Sequence, residues 1–308
     1  MTIHEAYLYL KNKLKEIYDD KEAANISELV MEKIFNLKKV ERLLNKHYVI
    51  TKEQQNILND YLQQLMTHKP VQYVLQEAWF AGMKFFIDST VLIPRPETEE
   101  LVEWIVEDTG YKTQDAGISD IPPLAPHISP LTVLDVGTGS GCIAIALKKK
   151  MNADMYALDI SEAALKIAAL NAANNNTDIN FLKADILQKQ LNIQLPLFDV
   201  IVSNPPYIIK QESAEMHANV VQYEPHLALF VPDENPLLFY DAISDFARSH
   251  LQQNGKLFFE IHENYANDIL KLLQQKKFSL IEIRKDLQQK NRMMKAVFLN
   301  DNTANFAA

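Results

Sequence analysis

The sequence predicts an α/β protein: an open, mostly parallel sheet flanked by helices, closed by an antiparallel last strand and preceded by a small helical bundle. From residue 131 to 276, short apolar runs alternate with helical patterns, the order that a parallel sheet with crossover helices requires. The first of those runs ends in Gly137-Thr138-Gly139-Ser140-Gly141, a turn at which backbone can approach a ligand closely. The first 70 residues instead show four stretches of apolar residues at helical spacing.

Those stretches begin with Ile3, Ala6, Tyr7, Leu10, Leu14, Ile17 and Tyr18. Ile26, Leu29, Val30, Ile34 and Phe35 form the second stripe, and Val40, Leu43 and Leu44 a shorter third. Thr51 and Gln54 make a capping box for the fourth, which carries Ile57, Leu58, Tyr61, Leu62 and Leu65. Each stripe needs a partner, so residues 1–70 are expected to form a bundle. It holds no catalytic constellation and suits substrate docking or, equally, a stabilising cap on the second domain. Residues 71–90 change period: Tyr73-Val74-Leu75 and 83–88 read as two strands of a hairpin connector around Ala81-Gly82.

A second domain is expected over 91–300. Pro94-Arg95-Pro96 leads into a helix whose Glu97, Glu99 and Glu100 suit the positive end of its dipole and whose Leu101, Val102, Ile105 and Val106 face a core. Residues 110–130, rich in Gly, Asp, Ser and Pro, read as a mobile surface loop. Strands are expected at 131–136, 154–158, 179–182 and 198–203, with helices at 143–150 and 162–173. Asn171 to Asn176 reads as an exposed helix end. A helix at 237–251, a strand at 255–261 and a helix at 265–276 precede two closing strands, 278–283 and 293–299, joined by a short polar link.

Composition narrows the function. Thirty-one Lys and Arg against 40 Asp and Glu give a net charge of −9, which counts against extensive nucleic-acid binding. The single cysteine, Cys142, fits a reducing cytoplasm and reads as a small packing residue. Neither a signal pattern nor an apolar run of membrane-spanning length is present, and the eight histidines lack metal-ligand spacing. The expectation is a cytoplasmic protein without a metal, acting as a monomer.

The chemistry is concentrated at strand ends. Asn204-Pro205-Pro206-Tyr207 comes directly after the run 198–203. Neither proline donates to a ladder and each restrains its predecessor, so the sheet stops there. Asn204 is held at the carboxyl end of a strand, and the Pro205 carbonyl has no regular neighbour in sequence to engage it. Two acceptors on stiff backbone, beside the flat face of Tyr207, suit a planar substrate NH2. The plainer alternative is a proline-rich turn whose Asn merely caps the next segment.

The glycine turn reads G-x-G-x-G, with Cys142 where a dinucleotide motif has its third glycine. Asp135, just before it, would repel a pyrophosphate but attract an ammonium or sulfonium. Asp159 ends the second strand, placed to accept ribose hydroxyls, and Asp185 lies just past the third, placed for an adenine amino group. Singly, each is ordinary strand-end chemistry. Together they suit S-adenosyl-L-methionine better than NAD.

At these residues the chain resembles the release factor glutamine methyltransferases (PrmC/HemK). Leu92-Ile93-Pro94-Arg95-Pro96-Glu97-Thr98-Glu99, the Asp135-to-Gly141 turn and Ser203-Asn204-Pro205-Pro206-Tyr207-Ile208 carry the likeness. Tyr223-Glu224-Pro225-His226-Leu227-Ala228-Leu229-Phe230 and Arg284-Lys285-Asp286-Leu287 extend it, collinear from about residue 70 to 299. The resemblance implies a Rossmann-like S-adenosylmethionine-dependent methyltransferase sheet behind an N-terminal helical domain. It implies methylation of the glutamine side-chain amide in the Gly-Gly-Gln motif of class-1 peptide chain release factors. It puts Gly137, Thr138, Gly139, Ser140, Gly141, Asp159, Asp185, Ile186 and Asn204 around the cofactor. Asn204, Pro205, Pro206 and Tyr207 would hold the glutamine. The chain departs from the family pattern in its long 110–130 segment, in Gln76 where glycine is frequent, and in Ile261-His262-Glu263-Asn264. Two other readings stand beside this one: an adenine-amino methyltransferase of DNA or RNA, which could use the same four residues on a flipped base, and a non-catalytic nucleotide-binding adaptor. An NAD-linked dehydrogenase ranks last, given the glycine spacing.

Overall fold

The structure, a computed structural model, describes residues 1–110, 130–188, 191, 193–214, 216 and 218–299. Of the segment expected as a surface loop, residues 111–129 lie outside the described residues. The chain divides into two compact units.

The first unit comprises Met1–Glu77, Ile87–Ser89 and Met216–Glu224. Its helices are α1 (Ile3–Leu14), α2 (Asp20–Phe35), α3 (Lys39–Leu44), α4 (Lys52–Leu65) and α5 (Val71–Leu75). Three start where side chains satisfy orphan amides. Thr2 and Glu5 form a capping box on α1, Asp19 caps α2, and the expected Thr51–Gln54 box closes on α4 at 3.1 and 2.9 Å. Ala6, Leu10, Leu14, Val30, Met31, Leu58 and Leu65 meet as one core. A helical turn at Ala218–Tyr223 belongs to this unit, and the Tyr223 hydroxyl donates to the Thr67 carbonyl at 2.9 Å.

Two expectations fail here. Val40, Leu43 and Leu44 are exposed, and so is Leu29. The buried residue of α3 is Arg42, whose guanidinium donates to the Leu37 carbonyl at 2.6 Å and pairs with Glu28. A helix of six residues is thus held by a charged group, and its apolar spacing does not decide which face turns in. Tyr73-Val74-Leu75 is not a strand but part of α5, whose Val74 and Leu75 cover the bundle core. Pro70 precedes its first turn, and Gln76 ends it in the left-handed region with φ 52°.

The second unit opens with the hairpin β1 (Ala78–Phe80) and β2 (Met83–Phe85), turned by Ala81 and Gly82 at φ 49° and 74°. Then come α6 (Pro96–Asp108), β3 (Leu131–Val136), α7 (Cys142–Lys150), β4 (Ala153–Asp159), α8 (Glu162–Asn174), β5 (Asn180–Lys183) and β6 (Phe198–Ser203). The chain continues with α9 (Leu238–His250), β7 (Leu251–Glu260), α10 (Ala266–Gln275), β8 (Phe278–Lys285) and β9 (Asn291–Phe298). Among the described residues seven strands form one sheet in the order β8-β9-β7-β6-β3-β4-β5, with only β9 running against its neighbours. The last strand is antiparallel, as expected, and slots between β8 and β7. Among the described residues no helix is long and apolar enough to cross a membrane.

Register places the site. Val136 on β3 stands level with Ser203 on β6 and Leu158 on β4. The next residues along each strand, Gly137, Asn204 and Asp159, therefore leave the sheet abreast, at the carboxyl edge where open α/β sheets hold ligands. Asn171, expected as exposed, is fully buried. Its Nδ2 donates to Phe86 O at 2.9 Å and Ser140 O at 3.0 Å, and its Oδ1 accepts from Phe86 N at 2.7 Å. One side chain thereby fastens the end of the hairpin to the glycine turn. Asn171→Ala leaves three backbone groups, one of them buried, without this partner and is expected to cost about 2–4 kcal/mol. Urea unfolding measures this; a loss within the ~0.5 kcal/mol of an ordinary surface substitution would contradict the clamp.

Candidate active site

Gly137, Gly139 and Gly141 all have positive φ, 75°, 54° and 82°, which side-chain-bearing residues rarely adopt. Gly137 and Thr138 both donate to the Leu158 carbonyl, at 2.8 and 3.0 Å. From below, Thr138 Oγ1 donates to Asp135 Oδ2 at 2.6 Å. Asp135 is completely buried, and the Ala144 backbone amide also lies against its carboxyl. Burial pushes its carboxyl up to about 7, against the Thr138 hydrogen bond. It therefore holds the turn in place beneath, away from the ligand side where the sequence had put it.

Above the turn lies a cavity of about 410 Å³, in the size range of small-molecule sites. Gly137, Gly139, Asp159, Asp185, Ile186, Asn204, Pro205 and Pro206 all line it. An added Cβ on Gly137 or Gly139 would meet nothing within 4 Å, so the backbone there is open to close approach. Asp159 accepts from Gly139 N at 2.9 Å through Oδ2 and from Ser161 N at 2.8 Å through Oδ1. Burial raises its carboxyl, and these amides oppose the rise. Asp185 Oδ1 accepts from Leu187 N at 2.9 Å.

Four expected residues are not on the wall. Thr138 is turned down onto Asp135. The Ser140 carbonyl is taken by Asn171, and a Cβ on Gly141 would lie 3.1 Å from that of Ala168. These three shape the turn from beneath. Tyr207, expected to offer a flat face, is anchored by its hydroxyl, which donates to Glu260 Oε1 at 3.2 Å. Its ring leans on His262, with centroids 5.7 Å apart. Burial and Glu260 push its hydroxyl up, so it stays protonated.

Asn204 Nδ2 donates to Thr98 Oγ1 at 3.3 Å, and Thr98 in turn donates to Glu260 Oε2 at 2.6 Å. Thr98 and Glu260 are buried; Thr98 falls in the run 92–99 that carries the family likeness, whereas Glu260 stands in none. A signal existed for the second. Glu260 ends the apolar run Leu257-Phe258-Phe259, as Asp159 ends its own strand. Burial raises its carboxyl, while Thr98 and the charge of Arg292 lower it.

A PrmC N-terminal domain model matches residues 5–75 and a methyltransferase small domain model matches 123–225. A release factor glutamine methyltransferase of Flavobacterium psychrophilum is 41% identical over 92% of this chain and 95% of its own. One from Bacteroides thetaiotaomicron is 36% identical over 94% and 97%. The chain belongs to the release factor glutamine methyltransferase family. The hMettl16 catalytic domain, solved in complex with the MAT2A 3′UTR hairpin 6, superposes with a TM-score of 0.53 at 15% identity, covering 82% of this chain and 84% of that one. That likeness speaks for the fold alone.

The departures from the family pattern have structural form. Gln76 occupies a left-handed position that costs a side-chain-bearing residue roughly 1–2 kcal/mol. His262 sits between Tyr207 and Tyr265, its Nε2 3.6 Å from Glu212 Oε2, and burial lowers its pKa.

Asp135 sets a pH dependence. Its carboxyl moves from 3.8 in the open chain to about 7 in the fold, so the folded state holds the proton more tightly. The stability this contributes is complete below about pH 4 and lost as pH rises through about 7. Asp135→Asn keeps an acceptor for Thr138 and has no proton to lose. Its stability relative to wild type is expected to grow by on the order of 1–4 kcal/mol from pH 4 to 7. Urea unfolding of both proteins across that range checks it; parallel curves would refute the assignment.

Proposed function

We propose that the chain transfers methyl from S-adenosyl-L-methionine to the side-chain amide nitrogen of the Gly-Gly-Gln glutamine in class-1 peptide chain release factors. The observation that carries this reading is the orientation of Asn204. With Nδ2 given to Thr98, Oδ1 remains as an acceptor at the cavity wall, next to the carbonyl-bearing Pro205.

The residues present fit the cofactor. Asp159 on the cavity wall would accept from ribose hydroxyls, Asp185 and Ile186 on the same wall would take the adenine, and Gly137 and Gly139 leave their backbone approachable. The cofactor supplies an electrophilic methyl group.

The protein's part is to make an amide nitrogen reactive. That nitrogen is a poor nucleophile because its lone pair is delocalised into the carbonyl. Asn204 Oδ1 and the Pro205 carbonyl each accept one of its hydrogens and hold the amide in line with the methyl. As positive charge develops on nitrogen, both hydrogen bonds strengthen, so they act on the transition state more than on the bound substrate. Pro206 keeps the loop stiff. Tyr207, locked on Glu260, positions the loop and takes no proton. The proton leaves to water after transfer, and the reaction uses no carboxylate–His pair and no metal. The partner is a protein, and we read the enzyme as a cytoplasmic monomer without extensive nucleic-acid contact.

Mass spectrometry of release factor incubated with the protein and cofactor is expected to show one added methyl on the Gly-Gly-Gln glutamine. Methyl appearing in nucleic acid and not in release factor would overturn the proposal. Asn204→Ala is expected to bind cofactor within about threefold of wild type and to turn over about a hundredfold to a thousandfold more slowly. Near-normal turnover by that variant would remove Asn204 from the chemistry.

A further inference from the structure

We infer that Glu260, acting through Thr98, is a positioning residue that dictates which end of the Asn204 carboxamide faces the substrate. This rests on the proposed reaction, in which Asn204 must present an acceptor.

A carboxamide turned over by half a rotation keeps its shape but exchanges acceptor for donor. Presented wrongly, Asn204 would meet the substrate NH2 donor to donor. The loop alone does not choose between the two, because the prolines beside Asn204 restrain backbone and leave the terminal amide free to turn. The choice comes from the buried chain behind it.

Thr98 has one hydroxyl proton. Glu260 as a carboxylate only accepts, and it takes that proton at 2.6 Å, within the range of a charge-assisted O–H···O⁻ bond. The hydroxyl can then only accept on its other side, where Asn204 Nδ2 stands at 3.3 Å. The sequence of donors, Asn204 to Thr98 to Glu260, thus has one direction, set by the charge at its end. Tyr207 donates to the second oxygen of Glu260 at 3.2 Å, so both carboxylate oxygens face donors. Arg292 supplies compensating charge and is itself held by Asp286 at 3.1 Å. A carboxyl buried this deeply is costly, and the three residues before it on β7 are apolar. Packing alone gives no reason for a carboxylate there; orienting Asn204 does.

Thr98→Val keeps the shape and removes the hydroxyl. Steady-state methylation of release factor is expected to show kcat lowered about tenfold to a hundredfold, with cofactor Kd within about threefold of wild type. Thr98→Ser, which returns the hydroxyl, recovers to within about threefold. Adding Thr98→Val to Asn204→Ala slows the enzyme no further, because both remove the same bond. Equal losses in the Val and Ser variants, or a double variant slower by the full Val factor, would assign Thr98 to packing and overturn the inference. Should Thr98→Val not fold, Glu260→Gln decides. Its NH2 can face Thr98 and reverse the donor order, so kcat falls several-fold at unchanged cofactor affinity, while wild-type kcat in that variant overturns the inference. A wild-type protein that leaves release factor unmethylated defeats the proposed reaction as well; an active wild type with unimpaired Thr98→Val defeats only this step.

Discussion

Three parallel strands ending level with one another are the constraint on which the rest depends. Because Val136, Leu158 and Ser203 share one register, a glycine turn, a carboxylate and a carboxamide emerge side by side without any long loop to bring them together. Consecutive buried residues on β3, β4 and β6, packed on both faces of the sheet, hold that register. Site geometry is therefore inherited from core packing, and the loops add only local chemistry.

Beneath the strand ends the same device occurs twice. Asp135 holds Thr138 at 2.6 Å under the glycine turn, and Glu260 holds Thr98 at 2.6 Å behind Asn204. Each is a buried carboxyl that burial raises, hence each is a cost to the folded state. Each gives a loop a single hydrogen-bonding direction that an apolar residue could not specify. Rigid acceptors act on a transition state only if they are in place beforehand, and preorganisation of that kind is commonly obtained at the expense of stability.

Much of this was legible in the sequence for physical reasons. Strands β3 and β6 stood out in full because Val-, Ile- and Leu-rich runs are cut off by Gly137 and by Pro205-Pro206. Cavity-wall positions Asp159, Asp185 and Asn204 were legible because they are polar residues that end apolar runs. What was not legible depends on contacts far apart in sequence. Thr98 and Glu260 are 162 residues apart, and Asn171 meets Phe86 across 85, so no local spacing announces either pair. Asn171 lay hidden in a polar run that reads as solvent-facing. Short elements failed differently: three apolar residues at 73–75 have no period to read, and the turn that makes them a helix is closed by the unusual backbone of Gln76.

At the centre stands the claim that two oxygens on a stiff loop grip both hydrogens of a glutamine amide. The most direct measurement is nuclear magnetic resonance on release factor carrying a ¹⁵N-labelled Gly-Gly-Gln side chain, bound to this protein with the demethylated cofactor product. Both side-chain amide protons should move downfield together and exchange slowly with water. If either proton keeps the shift and exchange rate of the free factor in the saturated complex, the grip does not exist.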